Sequence, residues 1–246
     1  MTKRMMRTAG ANRLSSIRQL LRSYASATRA RHSQHYFKTG PGDYGEGDVF
    51  MGVTVKVMRV IAKKFYKDAT LSEILLLLHS PMHEERQVAL FMLVAKFERG
   101  SGVEQKRIYT FYLKNTAYIN NWDLVDMSAS KIVGAYLSAR TKAPLYALAR
   151  SKNVWQRRIA IIATLQFIKN NQFRDTFKIA RILLTSEHDL IHKAVGWMLR
   201  EVGKRSISAE EDFLRRYYQR MPRTMLRYAI ERFSEVKRRS YLKGLA

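Results

Sequence analysis

Helical periodicity along almost the whole chain is the feature that most constrains its fold. Apolar residues recur at spacings of three and four, and no segment alternates between apolar and polar residues as a half-buried strand would. An all-α fold is therefore predicted. The predicted helices cover residues 14–37, 53–65, 74–78, 82–97, 104–113, 122–138, 144–149, 154–169, 173–184, 189–202, 209–218 and 222–233.

Short polar connections group these helices into pairs. The pairs recur roughly every 35 to 45 residues, which is the period of HEAT-type α-repeats. In such repeats each pair buries one face on its neighbours and leaves another on a curved surface. We predict a curved HEAT-like helical repeat solenoid with a basic concave face. Residues 14–246 would form this single domain, after a flexible basic N-terminal arm at residues 1–13.

The clearest break in the pattern is the glycine-rich segment at residues 38–48, Lys-Thr-Gly-Pro-Gly-Asp-Tyr-Gly-Glu-Gly-Asp. Clusters of glycine and proline mark loops. The segment lacks the Lys-Ser/Thr pair of a P-loop and does not follow a strand. Its acidic side chains would also repel a phosphate. It is predicted to be a loop and not a phosphate cradle.

The charge balance points to a polyanionic partner. The 246 residues include 45 Lys and Arg against 20 Asp and Glu, a formal net charge of +25. The excess is spread along the chain and is not confined to a tail. Such a field on a folded domain indicates nucleic acid, which it would bind through phosphate contacts and counterion release. The alternative is a generally basic protein without such a partner.

Several classes of protein are disfavoured by what the sequence lacks. The chain has no cysteine, so disulfides, thiolate nucleophiles and cysteine metal sites are excluded. Its six histidines show no metal-ligand spacing. No apolar run is long enough to span a bilayer, and the basic N-terminus lacks the apolar core of a secretory signal. We expect no metal, no cofactor and no membrane contact, and a cytoplasmic, nucleoid-associated protein.

A tryptophan and a carboxylate lie one helical turn apart in Ile-Asn-Asn-Trp-Asp-Leu-Val-Asp, residues 119–126. Asn121 is suited to cap a helix, and Asp123 fits its first turn, where the helix dipole favours negative charge. Trp122 and Asp126 are spaced i, i+4 and project from one face. An aromatic plane beside a carboxylate would stabilise a cation in a bound polyanion. Alternatively, Trp122 belongs to the core and the aspartates only cap the helix.

Two neighbouring arginines follow Trp155 at the start of a later predicted helix. Arg158 is a candidate anchor, because the guanidinium fork can bind Asp126 or a backbone phosphate with two hydrogen bonds. Arg157 is the competing candidate, and the sequence alone does not rank the two. Trp155 itself is read as structural.

The third tryptophan, Trp197, lies in a helix with several cations. Gly196 beside it leaves room for a close approach of another group. Lys193, Arg200 and Lys204 fall on neighbouring faces of the helix and are predicted to bind DNA. Each tryptophan has the alternative of being a core residue.

These segments together resemble the AlkD family of DNA alkylation repair glycosylases, which are HEAT-like repeat proteins of bacteria. The resemblance runs from about residue 52 to residue 233. It rests on Asn-Asn-Trp-Asp-Leu-Val-Asp at 120–126, Trp-Gln-Arg-Arg-Ile-Ala at 155–160 and His-Lys-Ala-Val-Gly-Trp-Met-Leu-Arg-Glu at 192–201. Ser-Pro-Met-His-Glu-Glu-Arg at 80–86 and Met-Pro-Arg-Thr-Met-Leu-Arg-Tyr-Ala at 221–229 add support.

The resemblance implies an activity and a set of residues. Family members remove cationic N3- and N7-alkylated purines, such as 3-methyladenine and 7-methylguanine, from duplex DNA. Trp122 and Trp197 match the two active-site tryptophans that flank the deoxyribose. Asp126 matches the catalytic carboxylate, and Arg158 matches the arginine near the phosphate. Tyr36 is the candidate for an N-terminal aromatic DNA contact.

The remaining residues and the alternative functions are less specific. Arg157 does not match a catalytic position and stays a candidate DNA contact, whereas Asp123 keeps its structural interpretation. A non-catalytic HEAT-repeat module for damaged or branched DNA is the main alternative to a glycosylase. A protein-binding scaffold is a third, which would show large apolar patches and little salt dependence of binding. A monomer that wraps duplex DNA is the simplest assembly.

Overall fold

The computed structural model describes residues 3–245, with side chains from residue 12 onwards. The described chain is helical and contains no strand; Val49 and Met82 form an isolated parallel bridge. The prediction of an all-α helical repeat fold is confirmed. None of the described helices combines the length and the apolar character needed to cross a membrane.

Most of the helices follow one another with short connections, and the long connection at residues 37–54 joins α2 to α3. The first are α1 (Lys3–Ser23), α2 (Ala27–Tyr36), α3 (Val55–Phe65), α4 (Leu71–Leu78), α5 (His83–Arg99), α6 (Gly102–Lys114) and α7 (Trp122–Ala129). The rest are α8 (Ala135–Leu137), α9 (Ala143–Ala149), α10 (Val154–Ala163), α11 (Leu165–Lys169), α12 (Arg174–Leu183), α13 (Asp189–Gly203), α14 (Ile207–Tyr217), α15 (Arg223–Ala229) and α16 (Glu235–Lys243).

The chain divides into two compact units, Met1–Leu124 and Val125–Ala246, and the boundary falls within α7. A single domain over residues 14–246 therefore stays a prediction. The backbone of the predicted arm is helical from Lys3. Residues 1 and 2, and the side chains up to residue 11, lie outside the described part of the chain.

Helix α5 is the centre of the first unit. It packs against α1, α3, α4 and α6, and its side chains from His83 to Val94 are all buried. The burial includes the charged first turn, His83-Glu84-Glu85-Arg86. Buried charges are costly unless they are paired, so each of these groups needs a partner. Glu84 finds one in the backbone, because its carboxylate accepts the N–H groups of residues 51, 52 and 53.

Helix α13 has the same central place in the second unit. It packs against α10, α12, α14 and α15 and buries most of its apolar side chains. Gly196 explains how closely α15 approaches. A Cβ atom at this position would lie 2.4 Å from the Met225 carbonyl oxygen and 2.5 Å from the Tyr228 Cβ. The room that Gly196 leaves is therefore filled by the neighbouring helix.

Several predicted helices are interrupted. The helix predicted at residues 14–37 ends at Ser23, and Ser26 caps α2 by accepting the Arg29 N–H. The helix predicted at 122–138 widens into a π-helical turn at Ser130–Gly134. The helix predicted at 154–169 divides at Thr164, which contributes to α10 and α11 only as a cap. Helix α16, beyond residue 233, was not predicted.

Candidate functional site

The second unit holds the Asp126 carboxylate on the guanidinium of Arg158. Arg158 Nε donates to Asp126 Oδ1 at 2.9 Å, and Nη2 donates to Oδ2 at 2.7 Å. Helix α10 positions the arginine, because Asn153 caps the helix by accepting the N–H groups of Trp155 and Gln156. Two parallel hydrogen bonds fix both the position and the plane of the carboxylate.

The two partners differ in exposure. Arg158 is 5% exposed, and its remaining terminal nitrogen Nη1 donates to the Leu190 carbonyl oxygen. The Asp126 side chain is 17% exposed. The arginine is therefore enclosed by the protein, whereas part of the Asp126 side chain reaches solvent. A negative charge with a fixed orientation can stabilise a positive charge brought to it from outside.

The structure also shows that Arg157 and Arg158 differ in their contacts. Arg157 is half-buried, and its Nε is buried without a hydrogen-bond partner. Burial lowers the pKa of His188, and the nearby Arg157 charge lowers it further. Of the two arginines, Arg158 is the one that binds Asp126. Trp155 is a buried core residue, as the sequence suggested.

Trp197 and the three cations of α13 are held by acidic side chains. Trp197 is half-buried, and its Nε1 donates to Glu201 Oε1 at 2.9 Å. Lys204 pairs with the same glutamate at 2.5 Å. The hydrogen bond to Glu201, one turn further along the same helix, fixes the orientation of the Trp197 indole.

The other two cations predicted to bind DNA are also in ion pairs. Lys193 Nζ lies 2.7 Å from an Asp189 carboxylate oxygen, and Arg200 pairs with Glu231. At least one partner in each pair is exposed. Such pairs contribute little to stability, about 0–1 kcal/mol each, so their cations can exchange a carboxylate for a phosphate at small cost.

In the first unit, Trp122 lies in a cluster of aromatic rings. It stacks on Phe37 with centroids 5.1 Å apart and an interplanar angle of 17°. Tyr36 meets it edge-on at 5.9 Å. Trp122 is half-buried, and Tyr36 is 59% exposed. The structure thus brings together two residues that the sequence singled out separately.

A buried polar network fixes the turn that precedes Trp122. Asp48 accepts hydrogen bonds from His83 Nδ1 at 3.1 Å, from Asn121 Nδ2 at 2.9 Å and from Arg86. Asn121 is fully buried, and its Oδ1 accepts the Trp122 N–H at 2.8 Å. The start of α7 is therefore tied to the loop that carries Asp48.

His83 links this network to Asp123. Its Nε2 lies 2.8 Å from Asp123 Oδ2, which also accepts from Gln87 at 3.1 Å. Burial opposes the charged form of the imidazole, but the carboxylates of Asp123 and Asp48 outweigh it and raise the pKa of His83 to about 9. Burial likewise opposes the charged form of Asp48. Its hydrogen bonds and the Arg86 charge prevail and lower the pKa of Asp48.

Sequence reasoning missed this network. It treated the glycine-rich segment only as a loop and used residues 80–86, which include His83, only as support for the family resemblance. The available signal was the polar run at residues 83–86, at the start of α5, which comes just before the wholly apolar stretch at residues 88–95. Among the described residues, no three histidine or acidic side chains are grouped so as to hold a metal ion.

Comparison with solved structures shows the same fold in two bacterial proteins. A predicted DNA alkylation repair enzyme from Enterococcus faecalis superimposes with a TM-score of 0.66 at 18% identity, covering 86% of this chain and 97% of that one. The smu.31 protein from Streptococcus mutans UA159 gives a TM-score of 0.51 at 15% identity, covering 91% of this chain and 100% of that one.

Sequence comparison identifies the family. No curated protein sequence matches the chain. A sequence model of the family described as DNA alkylation repair enzyme, however, matches residues 17–233, which is most of the chain. The match includes the whole of the Asp126–Arg158 pair, the Trp122 cluster and α13. This chain belongs to the DNA alkylation repair enzyme family.

Proposed function

We propose that this chain is a DNA glycosylase that hydrolyses the N-glycosidic bond of cationic N3- and N7-alkylated purines, such as 3-methyladenine and 7-methylguanine, in duplex DNA. The observation that carries the proposal is the geometry of Asp126. Its carboxylate is bound through both oxygens by the buried Arg158, and part of its side chain reaches solvent.

The chemistry needs a fixed negative charge more than it needs an acid. An alkylated purine already carries a positive charge and leaves as a neutral base when the bond from its nitrogen to C1′ breaks. The deoxyribose then gains oxocarbenium character, and a water oxygen bonds to C1′ and releases a proton. Asp126 would stabilise the cationic sugar and orient the water. A preorganised group of this kind contributes about 100- to 1000-fold in rate.

The two tryptophans would add to this stabilisation. An aromatic face attracts a cation by roughly 0.5–2 kcal/mol. The Trp197 indole is oriented by Glu201, and the Trp122 ring is supported by Phe37. Neither ring has to be ordered by the substrate, so more of the attraction is available for the reaction.

The remaining predicted residues would hold the duplex. A net charge of +25 supplies a strong attraction for phosphates. In this proposal Lys193, Arg200 and Lys204 exchange their carboxylate partners for phosphates, and Arg157 is a further contact to the duplex. Tyr36 contributes an exposed aromatic ring beside Trp122.

The test compares the wild type with an isosteric variant, Asp126→Asn, on N-methylated duplex DNA. Free 3-methyladenine and 7-methylguanine are quantified by chromatography, and duplex affinity is measured in parallel. We expect release to fall about 100- to 1000-fold while DNA binding persists. Asp43→Asn, which changes an exposed carboxylate in the same way, is the matched control and should release bases at the wild-type rate.

The other outcomes assign a different function. Equal release by the wild type and Asp126→Asn would keep the glycosylase activity but remove Asp126 from its mechanism. No release by either protein, together with tight and salt-sensitive binding to DNA, would replace the enzyme by a non-catalytic DNA-binding module.

A further inference from the structure

A groove between α12 and α14, in the second unit, combines aromatic rings with cations. Its volume is about 290 Å³, close to the lower limit of roughly 300 Å³ for small-molecule sites. We call it the α12–α14 groove. Its lining includes the aromatic residues Phe177, Phe213 and Tyr217 and the cations Lys178, Arg181 and Arg216. None of these residues belongs to the Asp126–Arg158 pair.

The aromatic side of the groove is a continuous stack. Phe177 of α12 stacks on Phe213 of α14 with centroids 5.2 Å apart and an interplanar angle of 14°. Phe213 and Tyr217, spaced i, i+4 on α14, lie 4.8 Å apart. Phe213 is buried, whereas Phe177 and Tyr217 are half-buried and present ring surface to the groove.

The cations of the groove are available to a ligand. Lys178, Arg181 and Arg216 are exposed, and within the described part of the chain none of them forms an ion pair or a hydrogen bond. The lining also contains one carboxylate, Asp212, but its neighbour Arg215 pairs with it. The groove therefore carries a positive charge that the protein itself does not neutralise.

We propose that the α12–α14 groove binds single-stranded nucleic acid. An unstacked base would lie against the rings of Phe177 and Tyr217, and the adjoining phosphates would contact the three cations. Cations beside aromatic rings are the combination that binds single strands, because every base has a face that can stack. The bases of an intact duplex are stacked on one another, so a duplex would leave the rings unused. This site is separate from the proposed glycosylase chemistry and does not depend on it.

The phosphate contacts can be tested with exposed residues alone. The triple variant Lys178→Gln/Arg181→Gln/Arg216→Gln is compared with the wild type for a fluorescent single-stranded oligonucleotide and for the corresponding unmodified duplex, over a series of salt concentrations. We expect single-strand affinity to fall at least about 10-fold. The slope of log K against log salt should decrease in magnitude by about 2, since each lost phosphate contact on a single strand accounts for about 0.7.

The matched control removes the same charge elsewhere in the second unit. Lys169, Arg220 and Lys243 are exposed and lie outside the groove lining. The variant Lys169→Gln/Arg220→Gln/Lys243→Gln should keep most of the single-strand affinity. If both triple variants lose affinity equally, or if the groove variant loses as much affinity for the duplex as for the single strand, the proposal is overturned.

The stacking contact is tested at Tyr217. Tyr217→Phe keeps the ring and should bind the single strand like the wild type. Tyr217→Leu removes the ring and should weaken binding roughly 5- to 150-fold. Thermal unfolding shows whether the leucine variant is folded, and the glutamine variants test the groove if it is not. Equal binding by folded Tyr217→Leu and Tyr217→Phe would contradict the proposal.

Discussion

The two aspartates of α7 are three residues apart and have very different surroundings. Asp123, in the first unit, accepts hydrogen bonds from the buried His83 and from Gln87. Asp126, in the second unit, is bound through both carboxylate oxygens by Arg158. The two side chains are similarly exposed, 14% for Asp123 and 17% for Asp126, so their partners and not their exposure distinguish them. In the proposed function only Asp126 acts on the substrate. Position on a helix therefore does not decide which partner an acidic side chain has; the elements that pack around it do.

The largest expected effect is on stability, at the centre of the first network. Asp48 is 5% exposed and is hydrogen-bonded to His83, Arg86 and Asn121. Asp48→Asn leaves buried cations short of a counter-charge, so we expect the free energy of unfolding to fall by about 3–5 kcal/mol. Urea denaturation measures it. Asp126→Asn, at the partly exposed carboxylate, should lose less; an equal loss would erase the distinction between the two regions.

The second prediction concerns the arginine that holds Asp126. Arg158→Lys keeps the positive charge but loses the bidentate hydrogen bonding to the Asp126 carboxylate. We expect base release to slow by about 10- to 100-fold, equivalent to about 1.5–3 kcal/mol for hydrogen bonds to a charged group. Arg157→Lys is the control, because Arg157 has no such contact with Asp126. Rates are measured on N-methylated duplex with saturating protein, after unfolding curves have shown that both variants are folded. A similar loss of base-release rate in both variants would mean that the bidentate contact between Arg158 and Asp126 does not determine the rate.

The third prediction is that the stability contributions of one buried group in each unit change over different pH ranges. In the folded protein the pKa of His83 is about 9, so its imidazole keeps a proton that the unfolded chain would lose near pH 6.5. The protonated imidazole adds to the free energy of unfolding. This contribution is complete below pH 6.5 and disappears as the pH rises through 9. In the second unit, burial and the neighbouring Glu211 raise the pKa of Glu210 to about 8. The contribution of the protonated Glu210 to the free energy of unfolding therefore disappears as the pH rises from 4.5 to 8. Within its own pH range, each group should lower the free energy of unfolding by up to about 1.4 kcal/mol for each unit by which the pH rises.

The corresponding measurement is denaturation at one-unit steps from pH 5 to pH 9. Glu210→Gln should flatten the curve mainly below pH 8, and His83→Gln mainly above pH 6.5. If neither variant changes the slope in its own range, the buried groups are not the cause of the pH dependence.

The smallest expected effects lie on α13. Lys193→Gln breaks an exposed ion pair with Asp189, so stability should change by less than about 1 kcal/mol. Binding to duplex DNA should still weaken, and the salt slope should fall by about 0.9 if the lysine contacts a phosphate. Salt titration of duplex affinity checks this. Lys64→Gln, an exposed lysine of the first unit, is the control for general charge. Equal effects of the two substitutions would remove Lys193 from the DNA-binding residues.

Local signals explain most of what the sequence predicted correctly. The capping box at Thr70 and Glu73 forms as expected, with both reciprocal hydrogen bonds present. Gly196 does mark a close approach, although the approaching group is α15. The helix predicted across residues 14–37 was wrong, because Ser26 starts a new helix and its N–H donates to the Met51 carbonyl. That hydrogen bond joins residues 25 positions apart, which helical periodicity does not reveal.

The all-α class, the positive charge and the family could be predicted from the amino-acid sequence, because periodicity, composition and short motifs are properties of residues close together in the chain. The sequence also placed Trp122 and Asp126 on one helix. Three features became visible only in the folded chain: Arg158 and not Arg157 binds Asp126, the buried His83 contacts Asp123, and Tyr36 packs against Trp122. These outcomes depend on contacts between residues distant in the chain. Whether a buried charge is satisfied, and by which partner, is settled by packing in three dimensions.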